Sequence, residues 1–359
     1  MGITSKATID TTALAHNYKQ LNVLTTAQCE VGAVVKANGY GAGMHDMSAI
    51  LSAAGCRYFY TAQLEEAISL RKSLPRATII VFEGPQTLDE ISLYKEHELT
   101  LVINSVDQFS IYQRYVYDQQ PLPFWVHIDT GMARLGLSFE ELLETELDGL
   151  PVQGYMSHLA HSDEPSAAQN RSQLNAFNTG SETLPKRAMS LANSGGIFLG
   201  SSYHFQHVRP GLALHGYASH AQDQEKSGLK PILRWDAPIL QIRSLNKGDT
   251  VGYGASFIAN APIRVATIGA GYADGYKRGL QDYGHINIGG YITKPIGRIS
   301  MDLMVIDVTH IPEGILENIS DVCLLGAHYT AQDMANDLNT IPYEVLTSLG
   351  DRVVRVYDA

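Results

Sequence analysis

The chain has 359 residues, of which 45% are hydrophobic and 18% charged, so it can bury a large core and does not have a disordered or fibrous composition. Its formal net charge of -11 at pH 7 argues against binding to nucleic acid or to an anionic membrane, because both need a basic face. Three widely spaced cysteines, no signal-peptide pattern and no apolar run of spanning length predict a cytoplasmic protein that acts on a small molecule.

Strand-like and helix-like segments alternate from about residue 30 to residue 215. Eight short runs rich in β-branched and aromatic residues are separated by polar, helix-compatible stretches, beginning with EVGAVVKAN and ending with FQHVRPG. Eight alternations over this length are typical of a (β/α)8 TIM-type barrel, although a doubly wound open sheet gives similar spacing. The sequence therefore predicts an α/β barrel domain over residues 11–229.

The pattern changes after about residue 230. Short strand-like runs such as APILQIRSL and DLMVIDVT are separated by Gly, Asn, Lys and Pro, without long helical stretches. We expect a mostly β domain over residues 230–359. The opening run KATIDTT is also strand-like, and residues 1–10 are expected to join the sheet of that domain.

Lys36 ends the first apolar strand, in the run AVVKANGYGAG. The C-terminal strand ends form the active face of a barrel, where burial lowers a lysine pKa from about 10.4 and makes the amine a nucleophile suited to a Schiff base. A lysine that reaches solvent or binds phosphate remains an alternative. The glycines lack the third spacing of G-x-G-x-x-G, and no acidic residue ends the next strand, so a dinucleotide site is disfavoured.

Two arginines are predicted at the barrel mouth. IDTGMARLG follows the fifth strand and carries Arg134 with Asp129, where the planar guanidinium could bind a carboxylate or form a surface ion pair. Arg209 ends the eighth strand and should point into the mouth.

Two His-x-x-His pairs occur, His158 with His161 and His204 with His207. Neither has the His-Glu-x-x-His arrangement on an evident helix, so no metal site is expected. A histidine that is hydrogen-bonded at a strand end fits better.

Two further groups could contribute to chemistry. Ser194 with Gly195 and Gly196, at the end of the seventh strand, could form a phosphate-binding nest, or only a turn. Tyr272, in GAGYADGY, could exchange a proton if nearby cations lowered its pKa from about 10, although a tyrosine in a sheet is more often a packing residue.

Together these motifs resemble the alanine racemase family, whose members are pyridoxal phosphate (PLP)-dependent isomerases. The resemblance runs through nearly the whole chain in the family's order: VVKANGYGAG, DTGMARLG, SHLAHSDEP, ANSGG, VRPGLALHG, GYADGY, GRISMD, PYEVL and RVVRVY. Each motif is weak alone, but the ordered set is specific. The family fold is a (β/α)8 barrel followed by a β domain, as the periodicity predicts.

The resemblance implies interconversion of L-alanine and D-alanine, with D-alanine supplied for peptidoglycan synthesis. Lys36 would bind PLP covalently and act as the base on one face of the substrate Cα. Tyr272 would be the base on the other face, contributed by the partner subunit of a homodimer with composite sites. Two faces and two bases give racemisation.

The resemblance also implies the remaining site residues. Arg209 would donate to the pyridine nitrogen and His158 would bond that arginine. The phosphate would be bound by Tyr40, Ser194, Gly211, Leu212 and Tyr343, and the substrate carboxylate by Arg134 and the backbone N–H of Met301. Asp302 would lie near the dimer interface, and Tyr291 in the entry corridor.

One position departs from the family. Many members have a carbamylated lysine two residues before the Asp of DTGM, where its carboxylate orients the arginine, but this chain has His127. We hypothesise that a bound anion such as chloride, or a different hydrogen bond, orients Arg134. A serine or broad-specificity racemase and a non-catalytic PLP-binding protein are the alternative functions. A barrel decarboxylase lacks support because its C-terminal cysteine motif is not evident.

Overall fold

The computed structural model describes residues 4–182, 184–281 and 283–358. The chain forms two compact units: one is Ala13–Lys230, and the other combines the residues up to Thr12 with those from Pro231 onward. In the described ranges no helix is both long and apolar enough to cross a membrane.

The first unit is a barrel of parallel strands. They are Glu30–Val31 continuing as Ala33–Val34, Tyr58–Thr61, Thr78–Val81, Thr100–Ile103, Phe124–His127, Val152–Met156, Ala188–Asn193 and His207–Arg209. The sheet runs from Glu30–Val31 through the other strands to Ala33–Val34, and these two segments are consecutive in the chain. The predicted barrel architecture is therefore confirmed, with eight strands around a core.

Gly32 separates the two halves of the first barrel strand. Its backbone N–H donates to the carbonyl of Val208 at 3.0 Å, which links the first strand to the last. A Cβ at this position would overlap the ring of Tyr60. Glycine therefore permits a close approach that barrel closure requires.

Helices precede, separate and follow the barrel strands. They are Thr11–Leu24, Lys36–Tyr40, Met44–Ala53, Leu64–Ser73, Leu88–Glu96, Val106–Asp118, Phe139–Glu144, Ala168–Glu182, Ser194–Phe198 and Ala221–Ser227, with 3-10 turns at Ser201–Tyr203 and Leu212–His215. Thr87, Ser105 and Ser138 each cap a helix by accepting a backbone N–H from three residues ahead. Each such cap contributes about 1 kcal/mol to helix stability.

The second unit is mostly β, as the sequence predicts. Its strands are Lys6–Asp10, Leu233–Leu245, Thr250–Val251, Phe257–Ile258, Ile263–Ile268, Ile286–Ile288, Tyr291–Thr293, Met304–Asp307, Asp321–Leu325 and Val354–Asp358. Its helices are Glu313–Leu316, Ala331–Asp337 and Pro342–Thr347, with 3-10 turns at Tyr253–Ala255 and Arg278–Gln281.

The N-terminal strand lies inside the sheet of the second unit. Lys6–Asp10 pairs antiparallel with Leu233–Leu245 on one side and parallel with Val354–Asp358 on the other. Alternate residues of the strand, Ala7 and Ile9, are fully buried, which gives the period of two that a half-buried strand requires. The predicted second domain also includes residues 1–3 and 359, which lie outside the described residues.

Candidate active site

Lys36 lies directly after the first barrel strand, on the face formed by the C-terminal strand ends. Burial lowers the pKa of its amine from the ordinary value of 10.5, and the charge of Arg134 lowers it further, whereas Glu66 and Glu83 raise it. A larger fraction of the amine is therefore neutral near pH 7 than for a surface lysine, as a nucleophile or base needs.

The turn that follows Lys36 is left-handed. Ala37, Asn38 and Tyr40 have φ of 52° and Gly39 has φ of 62°. Each non-glycine residue in this conformation costs about 1 kcal/mol. Strain of this kind is concentrated at functional sites, and here it turns the chain between Lys36 and the Tyr40 side chain.

Ser194 and Gly211 form a compact polar cradle with Tyr40. The Ser194 hydroxyl oxygen accepts the backbone N–H of Gly211 at 3.0 Å and of Ala213 at 3.1 Å. A Cβ at position 211 would overlap the Tyr40 hydroxyl oxygen, so only glycine fits. Two hydroxyls and backbone N–H groups therefore meet within one cradle, the donor set that binds a phosphate.

Arg209 is buried at 3% exposure in the barrel. Its guanidinium donates to the Ser190 hydroxyl and to the carbonyls of Ser157, at 2.5 Å, and Leu191, at 3.4 Å. Burial lowers its pKa to about 10, which still leaves it charged at pH 7. A fixed cation thus lies at the end of the eighth strand.

His158 lies beside Asn193 and close to Arg209. Within the described residues its Nε2 lies 3.5 Å from the Asn193 amide nitrogen, and the guanidinium of Arg209 is directed to backbone carbonyls and Ser190. Burial lowers the His158 pKa well below 6.5, and the charge of Arg209 lowers it further. The neutral ring therefore lies in the electrostatic field of Arg209.

The loop that carries Arg134 is held by its own backbone. The Asp129 carboxylate accepts the N–H groups of Gly131, Met132 and Ala133, and these bonds lower its pKa although burial raises it. The Leu137 N–H donates to the carbonyl of His127 at 2.9 Å. Asp129 therefore shapes the loop, and Arg134 is exposed at its tip.

His127 is bonded to Asn104. Its Nδ1 lies 2.8 Å from the Asn104 Oδ1, and the Asn104 amide nitrogen donates to the carbonyls of Phe82 and Glu83. Because the Asn104 amide nitrogen donates to these carbonyls, its Oδ1 must accept from His127. The His127 Nδ1 therefore carries the proton, and its Nε2 is an acceptor. Burial, then the charges of Arg209 and Arg134, lower the His127 pKa to about 4.

Tyr272 and Met301 lie side by side in the second unit. The Tyr272 N–H donates to the Ser300 carbonyl at 3.1 Å and the Ala273 N–H to the Met301 carbonyl at 2.9 Å. The two side chains are 44% and 52% exposed. Two loops therefore present an exposed phenol beside an exposed thioether.

Asp302 lies on the same pair of loops. Arg352 donates to Asp302 at 2.7 Å and to Asp274 at 3.1 Å, and so joins the two loops through their carboxylates. Asp274 also accepts the Gly271 N–H at 2.9 Å. The position of Tyr272 is thus supported from both sides.

Tyr343 lies on the helix Pro342–Thr347 of the second unit. The Ser348 hydroxyl, just after this helix, donates to the Gly275 carbonyl at 3.3 Å, and the Gly350 N–H donates to the Asp274 carbonyl at 3.0 Å. The helix therefore adjoins the Tyr272 loop. Tyr291 packs edge-on against His310, with 6.3 Å between ring centroids.

Buried neutral histidines should make stability depend on pH. Burial lowers the pKa of His207 and of His215 from 6.5 to about 4, as it does for His127. These histidines are protonated near pH 6.5 in the unfolded chain but only near pH 4 in the folded chain. Their contribution to the free energy of unfolding is therefore fully present above pH 6.5 and is lost as the pH falls toward 4. We expect the urea midpoint to fall across this window, and less steeply for His207→Gln.

The exposed histidine variant His161→Gln is the control for that measurement, and its pH dependence should match the wild type. Equal slopes for His207→Gln and wild type between pH 4 and 6.5 would contradict the assignment.

Two contributors to this region carry no sequence motif. Glu66 accepts the Ala37 N–H at 2.6 Å, and Asn104 fixes the His127 tautomer. Glu66 lies in the first turn of the helix Leu64–Ser73, where it caps the helix, and Asn104 directly follows the fourth strand, so the sequence signals were a helix cap and a polar residue at a strand end.

Comparisons with known proteins agree across the whole chain. The model described as the alanine racemase N-terminal domain matches residues 9–219, and that of the alanine racemase C-terminal domain matches residues 232–357. A Brucella canis protein named alanine racemase is 42% identical, over 98% of this chain and 92% of its own. An Agrobacterium fabrum protein named "Alanine racemase, catabolic" is 41% identical, over 99% and 92%.

Solved structures give the same result. Alanine racemase from Bartonella henselae, with covalently bound pyridoxal phosphate, superposes with a TM-score of 0.91 at 36% identity, covering 99% of this chain and all (100%) of that one. Biosynthetic alanine racemase from Pseudomonas aeruginosa superposes with a TM-score of 0.90 at 32% identity, covering 100% of both chains. Both units of the fold therefore have counterparts in these proteins.

Proposed function

This chain belongs to the alanine racemase family, and on that premise we propose that Lys36 and Tyr272 are the two acid/base groups with which it interconverts L-alanine and D-alanine. The observation that carries the proposal is the Lys36 amine, whose pKa is lowered by burial at the barrel mouth. Appearance of D-alanine, with deuterium at Cα, when L-alanine is incubated with the protein and PLP in heavy water is the test. Absence of D-alanine would defeat the proposal.

Pyridoxal phosphate fits the residues of the barrel mouth. The cradle at Gly211, which a Cβ would fill, supplies hydroxyl and amide donors for a phosphate. We assign cofactor binding to Lys36, Tyr40, His158, Ser194, Arg209, Gly211, Leu212 and Tyr343. When bound, the cofactor supplies an electron sink for the pair left by Cα–H cleavage.

Lys36, Arg209 and Arg134 have separate tasks in the proposed site. Lys36 would hold the cofactor through its amine and would exchange a proton at the substrate Cα. Arg209, which remains charged at pH 7, would hold the pyridine nitrogen of the cofactor, and a fixed cation there would oppose protonation of that nitrogen and disfavour side reactions such as transamination. Arg134 donates two hydrogen bonds to the substrate carboxylate, with the backbone N–H of Met301 as a further donor.

Tyr272 completes the second half of the proton transfer. The phenol exchanges a proton on the face opposite Lys36, so that one group removes the proton and the other returns it. Its 44% exposure on the second unit leaves the hydroxyl accessible to a substrate.

We place Tyr272 and Met301 in the active site of the partner subunit of a homodimer. Three side chains on adjoining loops are well exposed: 44% for Tyr272, 52% for Met301 and 39% for Leu303. The Ser300 N–H donates to the Leu303 carbonyl. Exposed apolar side chains that cluster in this way are typical of a protein interface.

The domain roles follow from this assignment. The barrel, predicted over residues 11–229, supplies the other cofactor-binding residues, and residues 230–359 with the N-terminal strand supply Tyr272, Met301 and Tyr343. A cytoplasmic location suits the three buried, unpaired cysteines. Peptidoglycan synthesis is the proposed use of D-alanine, and growth of a D-alanine auxotroph carrying the gene tests it.

Alanine should be preferred over serine. In the family the tyrosine that corresponds to Tyr343 narrows the pocket, and an added hydroxyl is a small change that only a tight pocket rejects. We expect a higher kcat/KM for L-alanine than for L-serine, and a smaller ratio for Tyr343→Ala, measured by chiral chromatography. Equal values for the wild type would favour the broad-specificity alternative.

A non-catalytic PLP-binding protein is the alternative from another class. Such proteins resemble the barrel alone, whereas the C-terminal family model matches residues 232–357 of this chain. That match favours the racemase.

A further inference from the structure

The turn after Lys36 needs a restraint from outside itself. Ala37, Asn38, Gly39 and Tyr40 are four consecutive residues with φ between 52° and 62°. Side-chain crowding disfavours this conformation in every residue but glycine, and it is rare in consecutive residues. A turn of this kind persists only where surrounding contacts determine it.

Glu66 provides such contacts with both carboxylate oxygens. Its Oε1 accepts the Ala37 N–H at 2.6 Å, and its Oε2 accepts the Ala62 N–H at 3.0 Å and the Gln63 N–H at 3.3 Å. Ala37 follows the first barrel strand and Ala62 follows the second. One carboxylate therefore joins the ends of two neighbouring strands, immediately beside Lys36.

The far end of the turn has its own contact. The Asn38 Oδ1 accepts the Met44 N–H at 3.0 Å, at the start of the next helix. This bond lies within the segment and holds it to its own helix. Glu66 ties the start of the turn to the end of the second barrel strand, and bonds to a charged acceptor are about twice as strong as neutral ones.

The charge of Glu66 also acts on the lysine. Burial and Arg134 lower the Lys36 pKa, and Glu66 is the first of the two carboxylates that raise it. Removal of the negative charge should therefore lower that pKa further and leave more of the amine neutral at a given pH.

We propose that Glu66 is a positioning residue that holds the Lys36 amine in its reactive place by binding the backbone N–H of Ala37. This role rests on the proposed function of Lys36. Glu66 acts through the turn and does not itself touch the substrate.

The test compares Glu66→Gln, Glu66→Asp and a control. Glutamine keeps the shape of the side chain but has only one acceptor oxygen. Its amide nitrogen would face a backbone N–H, so a hydrogen bond on that side would be lost. Aspartate keeps the charge and the helix cap but is one methylene too short to hold Ala37. The exposed neighbour Glu65→Gln removes a charge from the same helical turn without these contacts.

We expect kcat for alanine to fall about 10- to 100-fold in both Glu66 variants, the range for a displaced reacting group, with KM changed less than kcat. Hydrogen exchange in the full chain should become faster at residues 37–43. Without cofactor, the Lys36 amine of Glu66→Gln should be acetylated faster than that of wild type at a fixed pH below the ordinary pKa. Glu65→Gln should match the wild type in all three.

A kcat in both Glu66 variants equal to that of Glu65→Gln overturns the proposal, whatever the exchange rates. A raised KM with an unchanged kcat also overturns the proposal, because that result would assign Glu66 to substrate binding. A wild-type chain that does not racemise alanine defeats the proposed function instead, and faster exchange at residues 37–43 would then still identify the Glu66 contact.

Discussion

Replacement of Lys36 by alanine is expected to reduce racemisation of alanine by at least about 10⁴-fold, because it removes the covalent attachment of the cofactor and one of the two proton-transfer groups together. The measurement is kcat/KM for both enantiomers, with deuterium incorporation at Cα followed by NMR in heavy water. The variant should still fold, because Lys36 lies just after the first barrel strand and outside the pairing of Ala33–Val34 with the next strand.

Lys95→Ala serves as the control, since Lys95 is an exposed lysine on the helix Leu88–Glu96 and should retain wild-type activity. Circular dichroism checks that both variants fold. Robust turnover by a folded Lys36→Ala enzyme would refute the assignment of Lys36. Inactivity of both variants would show that the loss of activity is not specific to Lys36.

The second large effect is expected for Tyr272→Phe, which removes the hydroxyl and keeps the ring. Racemisation should fall about 10²- to 10⁴-fold, the usual contribution of a general acid/base group. The two enantiomers of alanine should lose exchange of the Cα proton with solvent to different extents. Exchange should survive for the enantiomer whose Cα proton faces Lys36 and vanish for the other. Tyr253→Phe, at a 72% exposed tyrosine, is the matched control.

Mixing the two inactive variants tests the composite site. If Tyr272 comes from the partner subunit, a heterodimer of Lys36→Ala with Tyr272→Phe contains one site with both native residues. Random reassociation makes half of the dimers heterodimers with one intact site of two, so activity should return to about a quarter of wild type. No recovery after verified subunit exchange would show that both residues act from one chain.

The barrel could be predicted because its strands are short apolar runs at regular spacing. Tyr58–Thr61 and Thr78–Val81 have three buried residues each, and such runs are typical of parallel strands covered on both faces. Lys36 and Arg209 were found by the same logic, since a charged residue that ends a buried strand needs an explanation.

The remaining features depend on contacts that no local pattern encodes. Glu66 looks like an ordinary helix-cap residue until the first and second strands are placed side by side. The bond between Asn104 and His127 likewise joins two strands, and it decides the tautomer of the ring. Likewise, a motif does not show that the Arg209 guanidinium donates to the carbonyls of Ser157 and Leu191.

The position of Lys6–Asp10 between Leu233–Leu245 and Val354–Asp358 sets an order on folding during synthesis. The ribosome releases this strand before the barrel, but its two partners appear only after the whole barrel has been translated. The strand must therefore wait with its hydrogen-bonding groups unpaired while the barrel folds, as an exposed edge that could pair with other chains. A nascent chain that stalls before Val354 would keep one edge of this strand open, so the sheet of the second unit can be completed only after Val354–Asp358 has been translated.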